Sequence, residues 1–213
     1  EFSIRPGAFF AATDKIEITV VGKGGHAAKP QETIDPSVVA AHLVTALQTI
    51  ASRNADPIAQ LVVSVTSMES SSHAFNVIPS SVRLGGTVRT LSEDMRDMAE
   101  ARMGELCQYI GQAFGARVTL DYERNYPVMA NHADQTAFAA DMARRVSGAC
   151  ADAPLVMGGE DFAFMLEERP GAYILMGNGD SAPVHHPEYN FNDEAIPMGC
   201  SWWAEIAEQR MPL

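Results

Sequence analysis

Cysteine is scarce: Cys107, Cys150 and Cys200 are the whole complement of the 213 residues, far apart and without a C-x-x-C pair. That excludes a disulfide framework and a zinc knuckle, and fits free thiols in a reducing, cytoplasmic compartment. Cys107 and Cys200 stand in apolar patterns and are expected to be buried as small hydrophobes. Positive charge is also short, with 15 Lys+Arg against 27 Asp+Glu and a formal charge of -12. A phosphate backbone would be repelled, so nucleic acid is excluded as a partner. No apolar run approaches the roughly 20 residues of a membrane-spanning helix, and the opening EFSIRPGAFF lacks the basic flank and cleavage pattern of a signal peptide. No membrane association is therefore expected. Also missing are a G-x-S-x-G elbow, a P-loop, a G-x-G-x-x-G after a strand and an H-E-x-x-H, which leaves serine and nucleotide mechanisms unsupported. Apolar content is 46%, enough at this length to bury a real core.

Residues 1 to 13 show no helical period and read as a connector. From residue 14 the pattern becomes regular. Ile16, Ile18 and Val20 alternate with Glu17 and Thr19 as a strand with one buried face. Asp35 then caps a helix with Pro36 at its first position, and Val39, Leu43, Leu47 and Ile50 share a face. Leu61 to Thr66 is a β-branched strand, and Ser81 to Thr90 a second one with Gly85 and Gly86 as a bulge. Ser92 starts another helix whose apolar stripe runs through Met95, Met98, Leu106, Tyr109, Ile110 and Phe114 to a stop at Gly115. Val118, Leu120 and Tyr122 form a last strand.

The order over residues 14 to 126 is strand, helix, strand, strand, helix, strand: a ferredoxin-like βαββαβ unit with both helices on one sheet face. Its open face or edge is expected to find a partner. Residues 127 to 213 differ in character. Helices are predicted over Asp134 to Val146, Glu160 to Glu168 and Ala195 to Arg210, with short strands at Leu155 to Met157 and Ala172 to Met176. That is too little sheet to cover three helices, so this region reads as part of an α/β layer structure.

Several residues could carry chemistry. His26, in VVGKGGHAAKP, follows a strand and a glycine pair, where an imidazole is presented rather than buried; the same residues also describe a turn with a surface histidine. His185 and His186 lie in VHHPEYNFND, a proline-fixed loop in which an imidazole can ligate a metal or simply face solvent. Gly158 to Phe162, GGEDF, offers free amides and two carboxylates at a helix start, as an anion cradle or a plain turn and cap. Arg89, at a strand end, can clamp a carboxylate with its fork of donors or make a surface ion pair. Asn76, before an apolar step into a strand, is a ligand-binding amide or a turn former.

Taken together, GKGGHAA, DPSVVAAHLVTALQTI, NVIPSSVRLGGTVRT, GGEDFAFML and VHHPEYNFNDE resemble, in order and spacing, the M20 metallopeptidase family. The similar branch is that of hippurate hydrolase, N-acyl-L-amino acid amidohydrolase and the plant indole-acetyl amino acid hydrolases. The resemblance implies an α/β zinc-peptidase-like catalytic domain with two divalent metals (zinc, manganese, nickel or cobalt), interrupted by a βαββαβ lid that forms a homodimer. Residues 1 to 13 then correspond to a connector from the catalytic domain, 14 to 126 to the lid, and 127 to 213 to the C-terminal part of the catalytic domain. It implies that His26 steadies the oxyanion in the partner subunit's active site, that Asn76, Arg89, Gly158 and Gly159 bind substrate, and that His185 is a metal ligand with His186 its neighbour. The expected substrate is an N-acyl amino acid, a small molecule.

This sequence departs from the family pattern in two ways. The H-x-C-G-H-D-type motif and the Glu-Glu pair that supply the other metal ligands and the general base are not in these residues, and Asn190 stands where the family shows aspartate. The expectation is therefore a truncated, C-terminal part of the enzyme, inactive alone. The rival expectation is a non-catalytic module for dimerisation and anion binding.

Overall fold

A computed structural model describes residues 1–211. The elements in chain order are β1 (Phe2–Ile4), β2 (Gly7–Phe10), β3 (Ala12–Val21), β4 (Gly25–His26), α1 (Pro36–Thr49), β5 (Leu61–Ser70), β6 (Val77–Ile78), β7 (Ser81–Thr90), α2 (Glu93–Phe114), β8 (Arg117–Arg124), β9 (Met129–Asn131), α3 (Ala133–Ser147), β10 (Cys150–Asp152), α4 (Phe162–Glu168), β11 (Leu175–Met176) and α5 (Ile196–Arg210). The chain divides into two compact units. One holds Phe10–Val128 with Met157–Glu160, and the other holds Glu1–Phe9, Met129–Val156 and the described residues from Asp161 on.

In the first unit four strands form a sheet in the order β5-β7-β3-β8, every neighbouring pair antiparallel. The α1 crossover carries the chain from β3 past the place later filled by β7, and α2 carries it from β7 past β3 to the far edge. Ile16, Ile18, Val20, Val82, Leu84 and Val88 face the helices and are buried with Val39, Leu43 and Leu47 of α1 and Met103 and Cys107 of α2. The alternation of β3 thus survives as one dry face. Asp35 caps α1 through its carboxylate, which accepts from the Ser37 N–H at 2.8 Å, and Ser92 caps α2 by accepting from the Met95 N–H. The expected Val39–Ile50 face of α1 is fully buried.

Two expectations for this unit are corrected. The buried face of α2 is Arg96, Ala99, Met103, Cys107 and Gly111, while Tyr109 and Phe114 are exposed, Met98, Leu106 and Ile110 only flank the core, and Met95 is half-buried outside it. Ala99, Cys107 and Gly111 on that face are small, so the helix can approach the sheet closely there; a Cβ at Gly111 would stand 2.9 Å from a Val118 methyl. The bulge lies in β5, not at Gly85 and Gly86: the register steps between Val65 and Ser67, and leaves Thr66 unpaired. The glycines enable it from across the ladder, since a side chain on Gly86 would run into the Ser64 carbonyl.

The buried face also holds charge. Asp14 and Arg96 are 2% and 4% exposed and meet through Nη2–Oδ1 at 2.6 Å and Nε–Oδ2 at 3.0 Å, with the Tyr122 hydroxyl donating to Asp14 Oδ2 at 2.7 Å. Burial and the Asp14 carboxylate push the Tyr122 hydroxyl well above its ordinary pKa. Burial pushes the Cys107 thiol from 9.0 up to about 11. Between those values the unfolded chain releases the thiol proton and the folded one keeps it, so folding stability falls as pH rises through 9 to 11. Urea unfolding at stepped pH is expected to show that decline, and Cys107→Ala to flatten it.

In the second unit β1 lies between β10, which is parallel to it, and β11, which is antiparallel, while β2 pairs with β9. Phe2 and Ile4 are buried with Ala139, Ala140, Met142 and Ala143 of α3 and with Trp202 of α5. The alanines let the Trp202 indole reach the helix backbone, where Nε1–H donates to the Ala139 carbonyl at 3.1 Å. Three expectations change here. The strand falls at Cys150–Asp152 and not at Leu155 to Met157, because β1 offers residues 150–152 a parallel ladder. Only Leu175–Met176 of the AYILM run is a strand, and it is half-buried. Cys200 is exposed, since a position two residues from the buried Trp202 points to the other side of a helix.

Candidate functional site

The sheet of the first unit carries candidate residues at its two ends. Beyond β3, the chain folds back so that β4 pairs with β6, His26 opposite Val77, and the Ala27 N–H donates to the Asn76 carbonyl at 3.0 Å. This small ladder brings His26 and Asn76 together at one tip, both exposed. The Ala28 N–H donates to His26 Nδ1 at 3.1 Å. Nδ1 is therefore an acceptor, the neutral ring carries its proton on Nε2, and that N–H remains available to an outside acceptor. Phe75 beside them is fully exposed.

Arg89 lies at the opposite end. It is opposite Thr13 in the β3–β7 ladder, half-buried, and its Nε–H donates to Thr87 Oγ1 at 3.1 Å. Gly158 and Gly159 cross this same end: the Gly158 carbonyl accepts from the Ala11 N–H at 3.0 Å, and Gly159 lies directly on Thr13 and Tyr126. Any Cβ at Gly159 would collide with the Thr13 methyl. Gly159→Ala is expected to cost about 1–3 kcal/mol, the range for overpacking, readable as a lower urea midpoint with unchanged slope.

Thr13 and Val21 are eight steps apart along β3, so the end of the four-stranded sheet that carries Arg89 is roughly 25 Å, at ~3.3 Å per residue, from the end beyond which the separate β4–β6 ladder holds His26. The structure groups His26 with Asn76 and Arg89 with Gly158 and Gly159, and keeps the two groups apart.

His185 lies in the second unit, on the loop between β11 and α5. It is exposed and has φ +73°, the one non-glycine residue in the left-handed region among the described residues. Such a conformation is uncommon without glycine and is held here by its surroundings. The His186 N–H donates to the Pro183 carbonyl, the Tyr189 N–H to the His186 carbonyl, and the Glu188 N–H to His186 Nδ1 at 3.1 Å. Asn178 ties the loop, donating to the Asn190 carbonyl and accepting from the Asn192 N–H. Among the described residues no three His, Cys, Asp or Glu side chains gather closely enough to hold a metal ion. A divalent metal pair needs several such donors, so the residues present do not fit one.

Sequence reasoning missed the Asp14–Arg96–Tyr122 cluster and the contact of Thr87 with Arg89. Parity was the available signal: Asp14 falls on the same side of β3 as Ile16 and Ile18, where a charge demands a buried partner.

The family model for peptidase family M20/M25/M40 matches residues 13–209. The chain is 33% identical over 211 residues to a hippurate hydrolase of Campylobacter jejuni, covering 97% of this chain and 55% of that protein. It is 36% identical over 199 residues to an N-acetyldiaminopimelate deacetylase of Enterococcus faecalis, covering 92% and 52%. Among solved structures it is similar to the YXEP protein of Bacillus subtilis, described as a dinuclear metal binding peptidase, with 27% identity, a TM-score of 0.81 and coverage of 97% and 52%. The chain spans about half the length of the curated relatives it matches. With the family model matched along nearly all of its residues, this chain belongs to peptidase family M20/M25/M40.

Proposed function

We propose that this chain is part of a metal-dependent amidohydrolase that cleaves N-acyl amino acids, with residues 14 to 126 forming a ferredoxin-like lid that dimerises and residues 127 to 213 belonging to the catalytic domain. The observation that carries the reading is the tip of β4 and β6. His26 is exposed there with Nδ1 engaged and Nε2–H free, and the backbone carbonyl of the exposed Asn76 accepts from the N–H of the next residue, Ala27. An N–H so placed can donate to the oxygen that gains charge as an amide carbonyl becomes tetrahedral. Arg89 offers its Nη edge to the carboxylate of the amino-acid half, with Gly158 and Gly159 bordering it.

One small substrate cannot span the roughly 25 Å from one end of the four-stranded sheet to the other. On this reading His26 and Asn76 therefore serve the centre of a second subunit, while Arg89 serves its own. The open edge of β5, where Val62 and Met68 are exposed, is a surface through which two lids can join as a homodimer. His185 is assigned as one ligand of the metal pair, and its companions lie outside the described residues.

The test is hydrolysis of N-acetyl and N-benzoyl amino acids with added manganese, nickel, cobalt or zinc. The chain is assayed alone and with a polypeptide corresponding to the N-terminal half of the relatives. Activity only in the mixture is expected. Turnover by the chain alone would refute its dependence on the other half, and no turnover in either case would favour a non-catalytic module for dimerisation and anion binding.

A further inference from the structure

Thr87 and Arg89 are both on the face of β7 that the helices leave open, two residues apart. The Thr87 hydroxyl donates its single proton to the Asp14 carbonyl at 2.8 Å. Its oxygen can then act towards Arg89 only as an acceptor, and it receives the Nε–H at 3.1 Å. The far end of this relay is rigid, because the Asp14 side chain is clamped by Arg96 and Tyr122 inside the unit. Among the described residues the two Nη groups of Arg89 have no protein partner.

We infer that Thr87 is the positioning residue of the Arg89 carboxylate site: it fixes the guanidinium plane through Nε, so that the paired Nη donors are set before a carboxylate arrives. The inference rests on the role proposed above for Arg89. An arginine side chain has several rotatable bonds, and a fork ordered in advance loses less freedom on binding than a free one. A carboxylate needs two parallel donors, which only a fixed plane presents. Thr87→Val keeps the shape and removes both hydrogen bonds; Thr87→Ser keeps both.

The test is a nitrogen-labelled NMR titration of the chain with N-acetylglycine as the probe, following the Arg89 Nε–H signal. The wild-type protein and Thr87→Ser are expected to show a sharp signal that shifts saturably. In Thr87→Val the signal should broaden and the half-saturation concentration rise about tenfold, the scale of one charge-assisted hydrogen bond. Thr87→Ala, which cannot crowd its neighbours, should behave as Thr87→Val does, and the backbone amides of β3 and β7 report that each variant is folded. A Thr87→Val or Thr87→Ala protein whose Arg89 signal and half-saturation match the wild type would overturn the inference, as would Thr87→Ser behaving like Thr87→Val. The titration is separate from hydrolysis: no turnover in the mixture with the N-terminal half, together with an intact titration pattern, would sink the amidohydrolase reading and leave the positioning role standing.

Discussion

Asp14→Ala is expected to destabilise the four-stranded unit by about 3–5 kcal/mol, the cost of leaving a buried charge without its partner. Arg96 would keep a guanidinium 4% exposed with Glu93, at 3.3 Å and half-exposed, as the one carboxylate left to face it and the Tyr126 carbonyl, at 3.4 Å, as a neutral acceptor. The Tyr122 hydroxyl would also lose its acceptor. The pair is not a large net source of stability, since two charges removed from water recover their hydration only through good geometry. Its removal by halves is what is costly. Replacing Asp14, Arg96 and Tyr122 together by apolar residues of similar volume should therefore cost less than Asp14→Ala alone. Urea unfolding of the single and triple variants checks the ordering, and a triple variant weaker than the single one would contradict it.

His26→Ala is expected to lower kcat of the assembled enzyme by about 100- to 1,000-fold with little change in KM, as for the loss of one oxyanion donor. The tip is exposed and its backbone ladder does not use the imidazole except through Ala28. Folding should therefore be untouched. His26→Gln, which retains a side-chain N–H donor, should recover part of the rate. A variant that raised KM and left kcat alone would place His26 in substrate binding instead.

Much of the fold was legible because its signals are local. The period-two alternation of Ile16, Ile18 and Val20, the Asp35 and Ser92 caps and the Val39–Ile50 stripe each declare an element within a few residues, and the strand order follows from the element order. What failed was decided across the chain. The face of α2 departs from the expected apolar stripe because it carries the buried Arg96 paired with Asp14 and, at Gly111, a close approach to Val118 that leaves no room for a larger side chain. The strand at Cys150–Asp152 exists because β1, nearly 150 residues earlier, supplies the ladder. At the candidate site, GKGGHAA and GGTVRT marked His26 and Arg89. Their grouping with Asn76 and Gly159, at opposite ends of one sheet, is a matter of register that no short motif records.

The central claim is that the two ends of this sheet act on one substrate only when two subunits supply them. Hybrid dimers of His26→Ala and Arg89→Ala protomers, prepared in the assembled enzyme, test it most directly. If His26 serves its partner's centre and Arg89 its own, each hybrid regains one intact centre, and an equal mixture of two nearly inactive variants recovers substantial activity. If both residues act in one centre from the same subunit, every centre of the hybrid holds a defect, and the mixture stays as inactive as its parents.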